Sequence, residues 1–562
     1  MASSKSRSPS RYLSKSTFSS ILSTALCGLV LTALPVPAGA QTELSGQTPG
    51  GAFYRILVPD GWTPADGLVI WNHGFDLDPI EPNPSLGPLV DVQRAEGYAI
   101  AASSYSLTGW AVFETHKDNA ELLDVFESQF GVPEHVFVTG ASLGGIVTAR
   151  DIEAGLLGNV VGALPICGAL AGSRLWEGGV DLRLLYDFVC DGVPGADIAG
   201  GADGLPPGTQ PTDLNRLQLA GAVQACTGAV LPDIATPAQD QRLQRILDLT
   251  GLPESFFLVD MDFVTFGLSN LVHDPDKLGG ATALGNENVD YGDAAINAGI
   301  ARVKPDPAAR QRLFDSYTPT GNVGDVKIVS IHTDKDGLVL VENESAYASV
   351  VPAANLTTGI VVEDEPTHCG FNEAEVLAAW EILRGWVAGA PQPSPNDLQG
   401  TCEALAAGDL ASGPCRFDPN FVVPDLDGRV RPRADDQTPE PPEPRECIPD
   451  LTTLCLNDGR FEVKVDWRTQ LGTSGLGMAK DLTDDTGYFW FFNEENVELV
   501  IKVLDACDTT FNRYWVFAGG LTNVEVKITV TDTQKPETKT YGNILGQPFQ
   551  PIQDTNAFAT CP

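Results

Sequence analysis

Apolar positions change their period along this chain, and the changes divide it. From about residue 52 to 168, short apolar runs alternate with stretches at helical spacing. The runs GLVIWNHG (67–74), GYAIAASSY (97–105), HVFVTG (135–140) and VVGALPICG (160–168) have the length and composition of strands buried on both faces. Between them, HKDNAELLDVFESQFG (116–131) sets Leu122, Leu123, Val125 and Phe126 at helical spacing. Such alternation predicts a mostly parallel sheet with helices on both sides. The rhythm breaks over residues 170–310, where loops such as GADGLPPGTQPTD separate helical segments such as AQDQRLQRILDLTGL. It resumes at VKIVSIH (326–332), TGIVVED (358–364) and the helix NEAEVLAAWEILRGWVAG (372–389). The interruption reads as an insertion, a lid over one end of the sheet.

Residues 391–446 are rich in proline and charge, end in QTPEPPEPRE, and read as an extended linker. After Cys447 the period becomes two. In RFEVKVDWR, Phe461, Val463, Val465 and Trp467 alternate with Glu462, Lys464, Asp466 and Arg468, and NVEVKITVTD (523–532) repeats the pattern. This predicts an antiparallel β-sandwich over residues 447–562. The expected architecture is thus α/β over residues 41–390, with a mostly parallel sheet and an inserted helical lid, followed by a linker and a β-sandwich.

Composition narrows the function. The chain has 562 residues and 43% hydrophobic content, enough for several domains with packed cores. Its 74 Asp and Glu against 35 Lys and Arg give a net charge of −39, which repels phosphate backbones and excludes nucleic acid as a partner. Lys5, Arg7, Arg11 and Lys15 precede an apolar run from about Phe18 to Pro35, ending at Ala38-Gly39-Ala40. Residues 1–40 therefore read as a signal peptide, and the protein left after cleavage as exported, with no membrane span. Ten cysteines follow, an even number that suits disulfides, and spacing suggests Cys190–Cys226 and Cys402–Cys415. No CxxC pair or Cys/His cluster has zinc spacing, so neither a metal nor a cofactor is expected.

The chemistry centres on VTGASLGGIV. With 57 glycines in the chain, the bare spacing of Gly140, Ser142 and Gly144 is weak. Its context is stronger: an apolar strand leads in and a helical stretch, LGGIVTARDIEAG, leads out. A serine on such a turn is exposed at the strand end, beside a helix N-terminus that favours a developing oxyanion. It needs a base and an orienting acid. Of six histidines, His73 precedes the serine in NHGF, and His116 opens a helix. His135 starts the serine's strand at its wrong end, His273 lies in the lid, and His332 sits in the strand before the candidate acid. His368, in EPTHCGFNE after the last strand, is left as the base. SIHTDKDGLV offers Asp334 and Asp336 as the acid.

Together GASLGG, HTDKDGLV and THCGF make residues 52–390 resemble the α/β-hydrolase superfamily. That resemblance implies Ser142, Asp336 and His368 as the catalytic residues, Asp336 because Gly337-Leu338-Val339 follow it, with Asp334 as the alternative. It also implies that NHGF is the oxyanion loop, supplying the backbone N–H of Phe75 beside that of Leu143, with His73 shaping the loop. Tannases and fungal-type feruloyl esterases carry cysteines directly before the serine and after the histidine. Here Cys369 follows His368 but Ala141 precedes Ser142, so that family is not assigned, and Cys167 is the candidate partner of Cys369. The C-terminal module resembles small β modules appended to secreted bacterial proteins. The expected function is a secreted serine hydrolase that cleaves carboxylic esters through an acyl-enzyme. Its ester substrate is polymeric or surface-bound if the module anchors it. Trp467, Trp490 and Trp515 would be the contacts or sandwich core, and Phe256, Phe257, Phe263 and Phe266 acyl-pocket walls or lid core. A prolyl-oligopeptidase-like peptidase and a non-catalytic binding protein are the alternatives.

Overall fold

The computed structural model describes residues 41–561 apart from 79, 205–214, 409, 434–446, 471–472, 510 and 536. The expected signal peptide and the proline-rich 437–446 lie outside the described residues. Eight strands form the main sheet: β1 (Gln41–Gln47), β2 (Phe53–Pro59), β3 (Leu68–Asn72), β4 (Ala99–Ser103), β5 (Val136–Ala141), β6 (Val160–Ile166), β7 (Lys327–Thr333) and β8 (Leu356–Val361). Their spatial order is β1-β2-β4-β3-β5-β6-β7-β8. The pairs β1–β2 and β2–β4 are antiparallel and all pairs from β4 to β8 are parallel. This is the α/β-hydrolase fold.

The apolar runs work because each strand is covered twice. Leu68, Ile70, Val136, Val138 and Ile328 pack with Leu122, Phe126, Ile146 and Val147 from the helices Thr115–Phe130 and Leu143–Ala154. Their neighbours Val69, Phe137, Leu164, Val329 and Ile331 point the other way, onto Leu377, Trp380 and Leu383 of the helix Glu373–Val387. Alternation within an unbroken apolar run is what a two-faced parallel sheet requires. The parallel strands all end on one edge, where open α/β sheets bind their ligands.

Between β6 and β7 the chain forms a helical cap with its own apolar cluster, which includes Leu182, Tyr186, Val223, Ile246, Phe257 and Met261. The segment Glu254–His273 is the one helix among the described residues long and apolar enough to cross a membrane, and more than half of it is buried in this cap. Residues 447–561 form two five-stranded antiparallel sheets enclosing Phe461, Val463, Ile501, Val503, Val516 and Ile528. The outer face of the second sheet carries Tyr488, Trp490, Trp515 and Phe517, each half-buried.

The structure corrects the linker reading for residues 391–433. Helix Pro395–Ala407 buries Leu398 and Cys402 beneath the sheet, and Phe417 pairs its backbone with Val361. Leu426 and Val430 pack on Ala171, and Arg433, almost fully buried, donates to Asp181 Oδ1 at 2.9 Å and to the carbonyl of Gly285 at 3.0 Å. The stretch is poor in apolar residues, yet Leu398, Phe417, Leu426 and Val430 all serve as anchors. Burying such side chains is worth about 2–5 kcal/mol apiece, so losing several exceeds the about 5–15 kcal/mol that holds a typical domain. A chain ending at residue 433 is therefore expected to unfold cooperatively, and one ending at 390 to aggregate or melt far lower. Thermal unfolding and size-exclusion chromatography of the two truncations check this.

Candidate active site

Strand β5 ends at Ala141, and Ser142 turns with φ 59° and ψ −123° before the helix begins at Leu143. A non-glycine residue there costs on the order of 1–3 kcal/mol and persists only when its surroundings dictate it. The surroundings are backbone. A Cβ on Gly140 would lie 2.2 Å from the Gly144 carbonyl oxygen, and one on Gly144 would lie 2.0 Å from that of Asn72. One on Gly145 would lie 2.5 Å from Gly168 Cα. The three glycines let the helix sit directly on the ends of β3 and β6, and Ser142 N–H donates to the Ile166 carbonyl at 2.9 Å.

The expected partners meet at this edge. Ser142 Oγ lies 2.8 Å from His368 Nε2, and His368 Nδ1 lies 2.8 and 3.0 Å from Asp336 Oδ2 and Oδ1. Because a carboxylate only accepts, Nδ1 carries the proton and Nε2 is left to accept from the serine hydroxyl. Asp336 is buried, and its oxygens also accept the N–H groups of Leu338, Val339 and Cys369 at 2.9, 2.8 and 3.2 Å. Burial alone would raise its pKa. The charge and hydrogen bond of His368, the charge of His332 and the Leu338 N–H outweigh that and hold it below the ordinary carboxylate value. Asp334, the alternative acid, instead accepts the Glu363 N–H at 2.8 Å, tying the turn to the end of β8. His73 has its own partners. Its Nδ1 donates to the Gly74 carbonyl at 2.8 Å, and its ring stacks on Tyr105 at 4.1 Å. Burial lowers its pKa, so it is neutral.

A disulfide joins Cys167, just after β6, to Cys369, with Cα atoms 5.4 Å apart, and so fastens the His368 loop to the sheet. The spacing-based pairs Cys190–Cys226 and Cys402–Cys415 are also present, with Cys447–Cys455 and Cys507–Cys561. Five disulfides mark an oxidising compartment. Among the described residues, Cys167, Asp336 and Cys369 are the one group of metal-ligand type. Both thiols are bound in the bridge and Asp336 is saturated with donors, so these residues do not suit an ion.

Gly74 packs against the serine, where a Cβ would lie 3.5 Å from Ser142 Cβ. Among the described residues, neither the Phe75 N–H nor the Leu143 N–H has an acceptor. Leu143 follows Ser142 directly, and Phe75 follows the Gly74 that packs on it. A polar cluster that sequence reasoning missed holds this loop. Asn72, the last residue of β3, donates to Thr148 Oγ1 at 3.2 Å and Asp151 Oδ2 at 3.0 Å, while Asn119 bridges Asn72 Oδ1 and Asp151 Oδ2 at 2.8 and 2.9 Å. Tyr105 donates to the His73 carbonyl at 3.1 Å. The available signal was one asparagine closing an otherwise apolar run. From the cap, Phe263 meets the Phe75 ring at 4.9 Å, and Phe256 covers Gly337 so closely that a Cβ there would lie 2.2 Å from its ring. Of the four cap phenylalanines expected as pocket walls or core, these two border the site, whereas Phe257 and Phe266 belong to the cap's own packing.

No family model matches the chain. An o-phthalyl amidase of Xanthobacter agilis is 32% identical over 118 residues, 20% of this chain and 24% of that protein. The chain thus spans about a quarter of the length of that curated relative. Among solved structures, an esterase of Pyrococcus furiosus is similar at 12% identity and a TM-score of 0.29, covering 59% of this chain and 84% of its own. Candida antarctica lipase A in its closed state is similar at 10% identity and a TM-score of 0.33, covering 67% and 89%. A proline iminopeptidase of Mycobacterium smegmatis is similar at 14% identity and a TM-score of 0.28, covering 64% and 99%.

The cluster behind the loop makes a testable prediction. Burial raises the Asp151 carboxyl to about 7 despite the hydrogen bonds from Asn72 and Asn119. The folded state then holds a proton that the unfolded state releases, so stability falls as pH rises from about 4 to about 7. Asp151→Asn keeps an acceptor for both asparagines and removes this fall. Its melting temperature should drop less between about pH 5 and about pH 8 than that of the wild type; parallel slopes would contradict the assignment.

Proposed function

We propose that this protein is an exported serine hydrolase that cleaves carboxylic esters, with Ser142 as nucleophile, His368 as general base and Asp336 as the acid that orients it. The observation that carries this reading is the unbroken hydrogen-bonded line from Ser142 Oγ through both nitrogens of His368 to a buried, ionised Asp336. In the proposed reaction His368 Nε2 takes the hydroxyl proton as Oγ attacks the ester carbonyl. The charge that develops on the carbonyl oxygen is met by the N–H groups of Phe75 and Leu143, which have no other acceptors to give up among the described residues. His368 then returns its proton to the departing alcohol, leaving an acyl-serine. Water, activated by the same nitrogen, releases the acid. Asp336 stays ionised throughout and stabilises the imidazolium that forms in each half-reaction.

Amide hydrolysis is the second reading, favoured by the partial identity to an amidase. It uses the same groups and differs in needing His368 to protonate an amine. The half-buried aromatic face of the second sheet supports a further role for the sandwich, holding the enzyme on an insoluble or surface-bound ester.

Turnover of p-nitrophenyl acetate and butyrate, beside the matching p-nitroanilides, separates these readings. The wild type should cleave the esters faster, and Ser142→Ala should lose at least about 10³-fold in kcat/KM. Preference for the anilides would move the assignment to amides, and undiminished turnover by the variant would overturn it. A chain ending at residue 433 should keep its rate on soluble ester and lose rate on particulate ester; equal rates on both would end the anchoring role.

A further inference from the structure

His332 is completely buried on β7, four residues before Asp336. Its Nε2 lies 2.8 Å from the Val339 carbonyl oxygen and its Nδ1 3.1 Å from Glu344 Oε1. A carbonyl only accepts, so Nε2 donates; a carboxylate only accepts, so Nδ1 donates as well. A neutral imidazole has one N–H and cannot make both bonds. The same Glu344 oxygen accepts from Ser330 Oγ at 2.7 Å, and Glu344 is itself buried on the helix Asn343–Val350. His332 Nε2 is also 3.8 Å from Asp336 Oδ2, the oxygen that His368 Nδ1 contacts at 2.8 Å. Carboxyl and imidazole groups therefore alternate through the interior from Glu344 to His332 to Asp336 and on to His368.

We propose that His332 is a permanently protonated positioning residue, a buried imidazolium paired with Glu344 that holds Asp336 ionised and in register behind His368. The proposal rests on Ser142, His368 and Asp336 acting as a unit. Burial of the ring works against its charge, but the Glu344 hydrogen bond and charge, the charge of Asp336 and the Val339 carbonyl together raise its pKa above the ordinary histidine value. Asp336 has other acidic neighbours. Asp260 faces it from the cap helix Phe257–Asp262, and Glu363 from just beyond β8. Burial, with the charge of Asp336 added, raises the pKa of both, so neither offers Asp336 a countercharge and His332 is left to supply it from this side. The Val339 peptide joins the two roles, since its N–H donates to Asp336 Oδ1 at 2.8 Å while its carbonyl accepts from His332. Moving the ring would move the turn that presents the acid.

The consequence is a pH effect on catalysis. With part of its charge balanced by His332, Asp336 attracts a proton to His368 Nε2 less strongly. The base then stays free to take the serine proton at lower pH. Removing the buried cation should shift the acid limb of kcat/KM upward by about half a unit to one unit. His332→Gln removes the ring. Glu344→Gln keeps a side-chain oxygen near Ser330 and His332 but withdraws the countercharge, so the second ring proton leaves. On p-nitrophenyl acetate, both variants should show the upward shift. A lowered plateau with an unmoved acid limb in both would reduce the pair to packing and overturn the proposal.

A second readout does not need turnover. Nitrogen-15 NMR of histidine-labelled full chain should show one slowly exchanging histidine with protons on both ring nitrogens at neutral pH, absent in His332→Gln and singly protonated in Glu344→Gln. A singly protonated His332 in the wild type would overturn the proposal by itself. If the wild type proved inactive, the hydrolase reading would fail while this spectrum still decided the state of His332.

Discussion

No side chain fits between the start of the Leu143–Ala154 helix and the end of β3, and the rest of the site depends on that contact. Gly144 meets the Asn72 backbone, Gly145 meets Gly168, and Ser142 is left between them in a conformation that non-glycine residues avoid. Strain of this kind survives only when several contacts enforce it. Here they include the Ser142 N–H bond to β6, the Asn72–Thr148–Asp151 cluster and the packing of Gly74 on the serine itself. The same contacts that impose the strain pack Gly74, the residue before Phe75, on the serine.

The opposite side of the site is governed by charge. Asp336 sits where water cannot solvate it, and an unpartnered carboxylate there would take up a proton. Three backbone N–H groups, His368 and the more distant His332 prevent this. The Cys167–Cys369 bridge and the cap's Phe256 close over the same turn, which joins the stability of the acid loop to disulfide formation in an oxidising compartment. Ser142 and His368 themselves remain partly exposed.

What was legible in the chain was local. The β5 elbow, the strand before HTDKDGLV and the loop at THCGF can be read from short windows, because apolar period and turn chemistry are set within a few residues. The disulfide partners at 36 and 13 residues' separation fell to spacing for the same reason. Contacts made by isolated residues across long separations were not legible. Residues 391–433 read as a linker because their few apolar side chains follow no period, although Arg174 meets Asp427 across 253 positions. His332 was legible only as a residue of the strand before the acid, since its meaning comes from Glu344 and from the Val339 carbonyl. Asn72 and Asp151 were equally silent, 79 residues apart and informative only as a pair.

The central claim is that Ser142 is the residue this architecture activates. The most direct measurement is mass spectrometry of the intact and digested protein after exposure to a fluorophosphonate. One added phosphonyl group per chain is expected, located on Ser142 and formed far more slowly when His368 is replaced by alanine. An unmodified wild type, or modification at another residue with Ser142 untouched, would contradict it.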